Sequence, residues 1–247
     1  MNKKRHPSDV MWLYGKHAVK AALQNPRREV LRFVVSENNI DFAEECRTRG
    51  IKTEIADKNF FAVTFGKDAT HQGCAVQVKK LPEVFIEDII GDEGDTRPVV
   101  FLDKVTDPQN LGSIMRASAV FGARAIVVAE DNSPELTAAA AKTASGEAEI
   151  IPIIRVTNLV HAIKDLKKQG FWCVGLDERG DKTISEVPLD GKIIFVVGSE
   201  GSGMRRLTRE TCDFLVQLPC YGKFSTLNAA QAATVALYEI LRQQRSK

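Results

Sequence analysis

The residues of this chain best suited to chemistry lie between 198 and 228. An apolar run, Ile193 to Val197, opens onto Gly198-Ser199-Glu200-Gly201-Ser202-Gly203, and Leu218-Pro219-Cys220 and Thr226-Leu227-Asn228 follow. A strand that breaks into glycines ahead of a helix-forming stretch leaves flexible backbone and free N–H groups at its carboxyl end, where open α/β sheets bind small ligands. Phosphate fits poorly. A P-loop needs a lysine and a hydroxyl after its last glycine, and Met204 and Arg205 stand there instead. A dinucleotide fingerprint runs G-x-G-x-x-G, whereas this loop runs G-x-x-G-x-G and seats the Glu200 carboxylate, which repels phosphate, among the backbone donors. The loop suits a ligand that offers an amine, a sulfonium or a hydroxyl. Taken alone, it reads equally well as a glycine-rich turn with a solvated glutamate.

A second group precedes it: Asp107-Pro108-Gln109-Asn110-Leu111-Gly112, with Arg116 further along. Asn110 is placed to cap a helix that begins at Leu111. Arg116 lies two residues from Ile114, about 200° around that helix, off the apolar row of Leu111, Ile114 and Phe121. By itself it reads as a surface arginine.

The elements that must position these groups alternate between helix and strand, which predicts an α/β fold class. In the first third, Gly15 to Leu23 reads as a helix, LRFVVS as a strand, FAEECRTRG as a helix stopped by Gly50, IKTEIA as a strand, and Gly73 to Val78 as a closing strand. The acidic segment LPEVFIEDIIGDEGDTR, residues 81–97, interrupts the pattern and reads as a linker between domains at 1–80 and 98–247. In the second domain PVVFLD, a helix from Leu111 to Phe121 and AIVVA form a βαβ unit with a parallel pair. An alanine-rich helix (133–145), a strand near 150–154, a helix (159–169), the strand FWCVGLD, the strand IIFVV and a long helix (229–242) complete it.

Lysine and arginine outnumber aspartate and glutamate 15 to 9 over residues 1–80, are outnumbered 6 to 1 over 81–97, and balance at 18 to 17 over 98–247. The basic excess therefore belongs to the first domain, as in a nucleic-acid-facing module, although a solvated basic surface gives the same count. No stretch reaches the apolar length of a membrane span, and MNKKRHPSDV lacks the apolar core of a secretory signal, so a cytoplasmic protein is expected. Five cysteines, widely spaced and with no C-x-x-C pair, predict buried free thiols and no metal site.

Three segments in order sharpen the reading: LDKVTDPQNLGSIMRASAVFGA at 102–123, VVGSEGSGM at 196–204 ahead of CDFLVQLP, and TLNAAQAATVALYEILRQ at 226–243. Together they resemble the three signature motifs of the SpoU family of RNA ribose 2′-O-methyltransferases, within the SPOUT superfamily, across residues 98–247. Residues 12–80, beginning WLYGKHAVKAAL, resemble that family's ribosomal-protein-like substrate-binding domain.

The resemblance implies a parallel sheet tied in a deep trefoil knot, a homodimer, and S-adenosylmethionine as cofactor. Cofactor contacts then fall on Gly198, Leu218 and Leu227, through backbone groups, and catalytic roles on Asn110, Arg116, Glu200 and Asn228. In accounts of the family the arginine at the Arg116 position activates the ribose hydroxyl. A guanidinium, however, has no acceptor lone pair and a pKa above 12, which favours phosphate holding and alkoxide stabilisation, with water or another group taking the proton. A structural role for Glu200 is an equal alternative. The third motif departs from the usual family form, with Thr226 and Ala230 where serines are common. Thr226 keeps the hydroxyl, and no role is assigned to Ala230.

Arg155-Val156-Thr157-Asn158-Leu159 and the separate first module resemble most the branch acting on a guanosine of bacterial 23S ribosomal RNA. Lys3, Lys4, Arg5, Arg27 and Arg28 are candidates to deliver an RNA loop, with solvated surface the alternative at each. The expected partners are RNA and a second copy of the chain, with neither membrane nor DNA. Rival readings are a transfer-RNA methyltransferase, a noncatalytic RNA-binding ribosome-assembly protein, and a nucleotide-dependent enzyme using the 198–203 loop.

Overall fold

The computed structural model describes residues 9–46, 50–90, 94–131, 136–221 and 227–246. By packing, the chain forms two compact units. The first gathers the described residues of Met1–Pro82 and Leu136–Glu149, and the second those of Glu83–Glu135 and Ile150–Lys247.

The first unit is built from β1 (Val10–Tyr14), α1 (Lys16–Gln24), β2 (Val30–Val35), α2 (Ile40–Glu45), β3 (Thr53–Ile55), α3 (Lys58–Phe65) and β4 (Cys74–Lys79). Its four strands lie in the order β1-β4-β2-β3, with β4 antiparallel to both neighbours and β2 parallel to β3. α1 forms because Ala18, Val19, Ala22 and Leu23 make one apolar stripe at helical spacing, and that stripe is buried. The Asp57 carboxylate accepts from the Phe60 N–H and starts α3, which buries Phe61 against Tyr14, Val34 and Ala75. The strand β1 and the helix α3 were not anticipated from sequence; both are short and dense in aromatics, so neither shows a clear period.

The second unit comprises α4 (Ile86–Ile90), β5 (Val99–Asp103), α5 (Pro108–Val120) and β6 (Ala125–Ala129), then, after the excursion through α6 (Ala138–Thr143) into the first unit, β7 (Ile153–Val156), α7 (Leu159–Lys168), β8 (Trp172–Leu176), β9 (Lys182–Thr183), β10 (Ile193–Gly198), α8 (Arg206–Thr211), β11 (Phe214–Gln217) and α9 (Ala229–Arg245). Among the described residues seven parallel strands run in the order β7-β6-β5-β10-β8-β11-β9. The central strands are continuous apolar runs because helices cover both faces: Val99 to Leu102 and Ile193 to Val197 are all buried. The α/β class with a parallel sheet is therefore as expected.

Three expectations need correction. The acidic segment 81–97 is not loop throughout: Ile89 of α4 is buried in the core of the second unit, with Val84, Ile86 and Ile90 packed around it. Its apolar spacing was masked by interleaved acids. The alanine-rich segment gives a shorter helix, α6, and it packs with β1 and α1 of the first unit. Arg28 is no surface contact: its guanidinium is 2% exposed and pairs with Glu149, 4% exposed, at 2.7 Å. Lys3, Lys4 and Arg5 lie outside the described residues, and Arg27 is exposed.

Around that ion pair the accounting of polar groups is close. Arg28 Nε also reaches both Glu149 oxygens, Arg28 Nη1 donates to the Lys79 carbonyl at 2.7 Å, and Asn25 Nδ2 donates to Glu149 Oε2 at 2.7 Å. Close packing holds the segment too. A Cβ on Gly146, whose φ is +95°, would sit 2.8 Å from that of Ala21 in α1.

Candidate active site

The strand order reverses between β5 and β10. From β5 the chain passes through α5 to β6 on one side, and from β10 it passes through α8 to β11 on the other. The crevice outside the carboxyl ends at such a point is where open α/β sheets bind ligands. The register pairs Gly198 with Asp103, so the loop after β5 and the glycine loop after β10 leave the sheet side by side.

Asp103 closes an otherwise apolar strand and is fully buried. A carboxylate so placed must be paired. Its Oδ2 accepts from the Arg205 backbone N–H at 2.7 Å and its Oδ1 from Arg205 Nε at 2.6 Å, which ties the end of β5 to the end of the glycine loop. Sequence reasoning missed both residues. The available signal was an ionisable residue at the end of a buried strand, with a cation following the last glycine.

The glycine loop folds back on itself. Ser199 and Gly203 exchange backbone hydrogen bonds of 3.2 and 3.0 Å, the Ser199 and Ser202 hydroxyls bond at 2.6 Å, and Gly201 and Gly203 take φ of +79° and +64°. Gly198 has a different constraint, because a Cβ there would lie 2.4 Å from Gly203 C and from Met204 N. Gly198→Ala must push the two limbs of the loop apart, and urea denaturation should show a loss of about 1–3 kcal/mol. An unchanged midpoint would mean that the limbs open freely.

Glu200 joins the loop to two helices. Its Oε1 accepts from Asn110 Nδ2 at 2.9 Å and from the Ala229 N–H at 3.3 Å. Asn110 is not the helix cap expected from sequence. Pro108 fits the first turn of α5, so the helix starts three residues earlier and Asp107 caps it by accepting from the Gln109 N–H at 3.0 Å. That leaves the Asn110 amide in the first turn, available to Glu200. Asn228 caps α9: its side chain accepts from the Gln231 N–H at 2.8 Å, and Gln231 Oε1 accepts from the Asn228 N–H at 3.3 Å. Thr226 lies outside the described residues.

Leu218 directly follows β11, and Leu227 directly precedes the α9 cap and is 44% exposed. Arg116 is exposed on α5 and makes no hydrogen bond or ion pair among the described residues. Hydrogen bonds thus join Asn110, Glu200 and the first residue of α9, Gly198 and Leu218 sit at the carboxyl ends of β10 and β11, and Arg116 stands apart from these contacts. Another residue missed from sequence is Gly180. A Cβ there would lie 2.7 Å from Val216 C, and its carbonyl accepts from Gln217 Nε2 at 2.9 Å, so the turn after β8 presses directly on the backbone of β11. Among the described residues no three His, Cys, Asp or Glu side chains gather as a metal site.

Comparison with known proteins gives the chain's relatives. The description "RNA 2'-O ribose methyltransferase substrate binding" matches residues 12–84. The 23S rRNA (guanosine-2'-O-)-methyltransferase RlmB of Pseudomonas aeruginosa is 36% identical, covering 94% of this chain and 96% of its own length. The protein of the same name from Vibrio parahaemolyticus is 38% identical, covering 94% of this chain and 97% of its own. In fold, the chain is similar to the SpoU methyltransferase AviRb from Streptomyces viridochromogenes in complex with AdoMet, with a TM-score of 0.83 at 24% identity over 100% of this chain and 95% of that one. The SpoU rRNA Methylase family matches residues 97–238, which hold β5, α5, the glycine loop and the start of α9, and to that family this chain belongs.

Proposed function

We propose that this protein transfers a methyl group from S-adenosylmethionine to the ribose 2′-hydroxyl of a guanosine in 23S ribosomal RNA. The observation that carries the reading is the junction at Glu200, where the glycine loop, the first turn of α5 and the start of α9 are joined by hydrogen bonds outside the carboxyl end of the sheet. The names of relatives that align over almost the whole chain support the substrate.

The residues fit a sulfonium cofactor better than a phosphate one. The guanidinium that follows the glycine loop, Arg205, is already engaged by the buried Asp103, and no lysine stands in the loop. Backbone groups of Gly198, Leu218 and Leu227 would hold the cofactor. When bound, it supplies the methyl carbon, which forms a C–O bond to the ribose as the C–S electron pair returns to sulfur. Arg116 holds the phosphate beside the target ribose and stabilises the developing alkoxide, and the hydroxyl proton leaves to water or to another group. Asn110, Glu200 and Asn228 fix the loop and the helix start against which the ribose is aligned.

In this reading the first unit, residues 1–82 with 136–149, presents the RNA, and the second, residues 83–135 with 150–247, forms the methyltransferase with its trefoil knot. The protein works in the cytoplasm as a homodimer. Val120 on α5 and Val235 and Tyr238 on α9 are exposed apolar side chains on two packed helices, as a self-association surface requires. Among the described residues no helix is long and apolar enough to cross a membrane.

Incubation with methyl-labelled cofactor and unmodified 23S ribosomal RNA, transfer RNA or DNA tests the proposal. Label is expected in ribosomal RNA alone, on a guanosine 2′-oxygen. Label confined to transfer RNA overturns the substrate, and RNA binding without transfer overturns catalysis.

A further inference from the structure

We propose that the groove between α7 and α8, outside the methyl-transfer site, is a docking track for the phosphodiester backbone of the substrate RNA. The inference rests on the RNA-methyltransferase reading and adds to it a surface of the second unit. The groove has a volume of about 1000 Å³, and its lining includes Lys164, Lys167, Lys168, Leu207, Glu210 and Asp213.

Charge is what selects the occupant. Residues 98–247 as a whole are nearly neutral, yet α7 together with Arg206 to Asp213 holds five lysines and arginines (Lys164, Lys167, Lys168, Arg206, Arg209) against three acids, Asp165, Glu210 and Asp213. Clustered cations on adjacent helices are the footprint of a polyanion. α8 links the groove to the site: Arg205 closes the glycine loop on Asp103 at the carboxyl end of β10, and α8, which begins at the next residue, leads from there to the start of β11. An RNA strand with its target ribose at the carboxyl ends of β5 and β10 can therefore continue along α8 toward α7.

The ion pairs within the groove leave it competent for phosphate. Lys167 donates to the Thr211 carbonyl at 3.0 Å and to Asp213 at 2.7 Å, which pins α7 to the end of α8 and makes it a wall of the groove. Arg209 is held by the largely buried Asp177 at 3.1 Å, whereas Lys168 pairs with Asp165 at 2.8 Å and Arg206 with Glu210 at 2.8 Å, both across exposed side chains. Exposed pairs of this kind are worth about 0–1 kcal/mol, so a phosphate can take over the cation at little cost. Lys164 is exposed and has no ion pair among the described residues. Lys164 and Lys168, four residues apart, share one face of α7, and their spacing is of the order of that between successive phosphates on a strand. Exposed Leu207 gives the groove an apolar edge against which a sugar or base can lie.

The test uses the full chain, methyl-labelled cofactor and a 23S ribosomal RNA fragment. Lys164→Glu/Lys168→Glu is expected to raise KM for RNA by at least about tenfold and to lower the slope of log Kd against log salt by about two, one for each lost phosphate contact. Turnover at saturating RNA and cofactor affinity should not move, and Lys164→Arg/Lys168→Arg should restore binding. Unchanged RNA affinity and salt slope in the folded Glu variant would overturn the proposal. So would lost binding of a polyglutamate peptide with RNA affinity intact, which would mark a protein-docking groove instead. If the wild-type chain binds RNA through these lysines but transfers no methyl group, the groove stands and the catalytic reading falls.

Discussion

Arg116→Ala is expected to slow methyl transfer by about two to three orders of magnitude, the usual cost of removing one preorganised donor aimed at developing negative charge. Affinity for S-adenosylmethionine should be unaffected, because the residues assigned to the cofactor are Gly198, Leu218 and Leu227, on other elements. Stability should be unaffected as well: Arg116 is exposed and has no bonded partner among the described residues to leave unsatisfied. Arg116→Lys keeps the charge but loses the planar fork, so it should recover only part of the rate. Single-turnover transfer and calorimetric cofactor binding, run side by side, check this. A variant that is inactive only because it no longer binds cofactor would remove Arg116 from the catalytic assignment.

Loss of either partner of the Arg28–Glu149 pair should be strongly destabilising to the first unit. Arg28→Ala leaves a carboxylate that is 4% exposed without its main partner, and Glu149→Ala leaves a guanidinium that is 2% exposed in the same state. Breaking a buried pair from one side costs about 3–5 kcal/mol, whereas replacing both partners with apolar residues of similar volume is often neutral. Urea denaturation should therefore show large losses for each single variant and a much smaller one for Arg28→Met/Glu149→Leu, tempered by Asn25, whose amide would lose its carboxylate acceptor. Equal losses in single and double variants would mean that packing, not charge, sets the cost.

Much of the parallel sheet was legible in sequence because its strands are buried on both faces and read as unbroken apolar runs, such as VVFLD and IIFVV. What escaped was short or atypical. β11 has four residues and β9 two, and α8 buries only Thr208, so none carries a measurable period. At the candidate site the residue types at 110 and 200 were visible, but their contact spans 90 positions and no local pattern encodes it. The helix boundary was displaced because Pro108 was not given its place in the first turn. Asp103 and Arg205 were overlooked since each, taken alone, is an ordinary charged residue; only strand register brings them together. Arg28 was misjudged for a related reason, as a basic count cannot distinguish a solvated arginine from one whose acid lies 121 positions away.

The segment 136–149 returns to the first unit after the second has begun, and Ala140, Ala141, Ala144 and Glu149 are buried there. The first unit is consequently not a heritable unit with a single breakpoint. Recombination after residue 82 would transplant a surface shaped for α6 without α6 itself, and would leave the recipient with Glu149 set against a foreign neighbour in place of Arg28. A lineage that changed its RNA target by module exchange would have to exchange both stretches of gene together. The more accessible route is gradual substitution on the exposed face, with Arg28, Asn25 and Glu149 drifting, if at all, as a set.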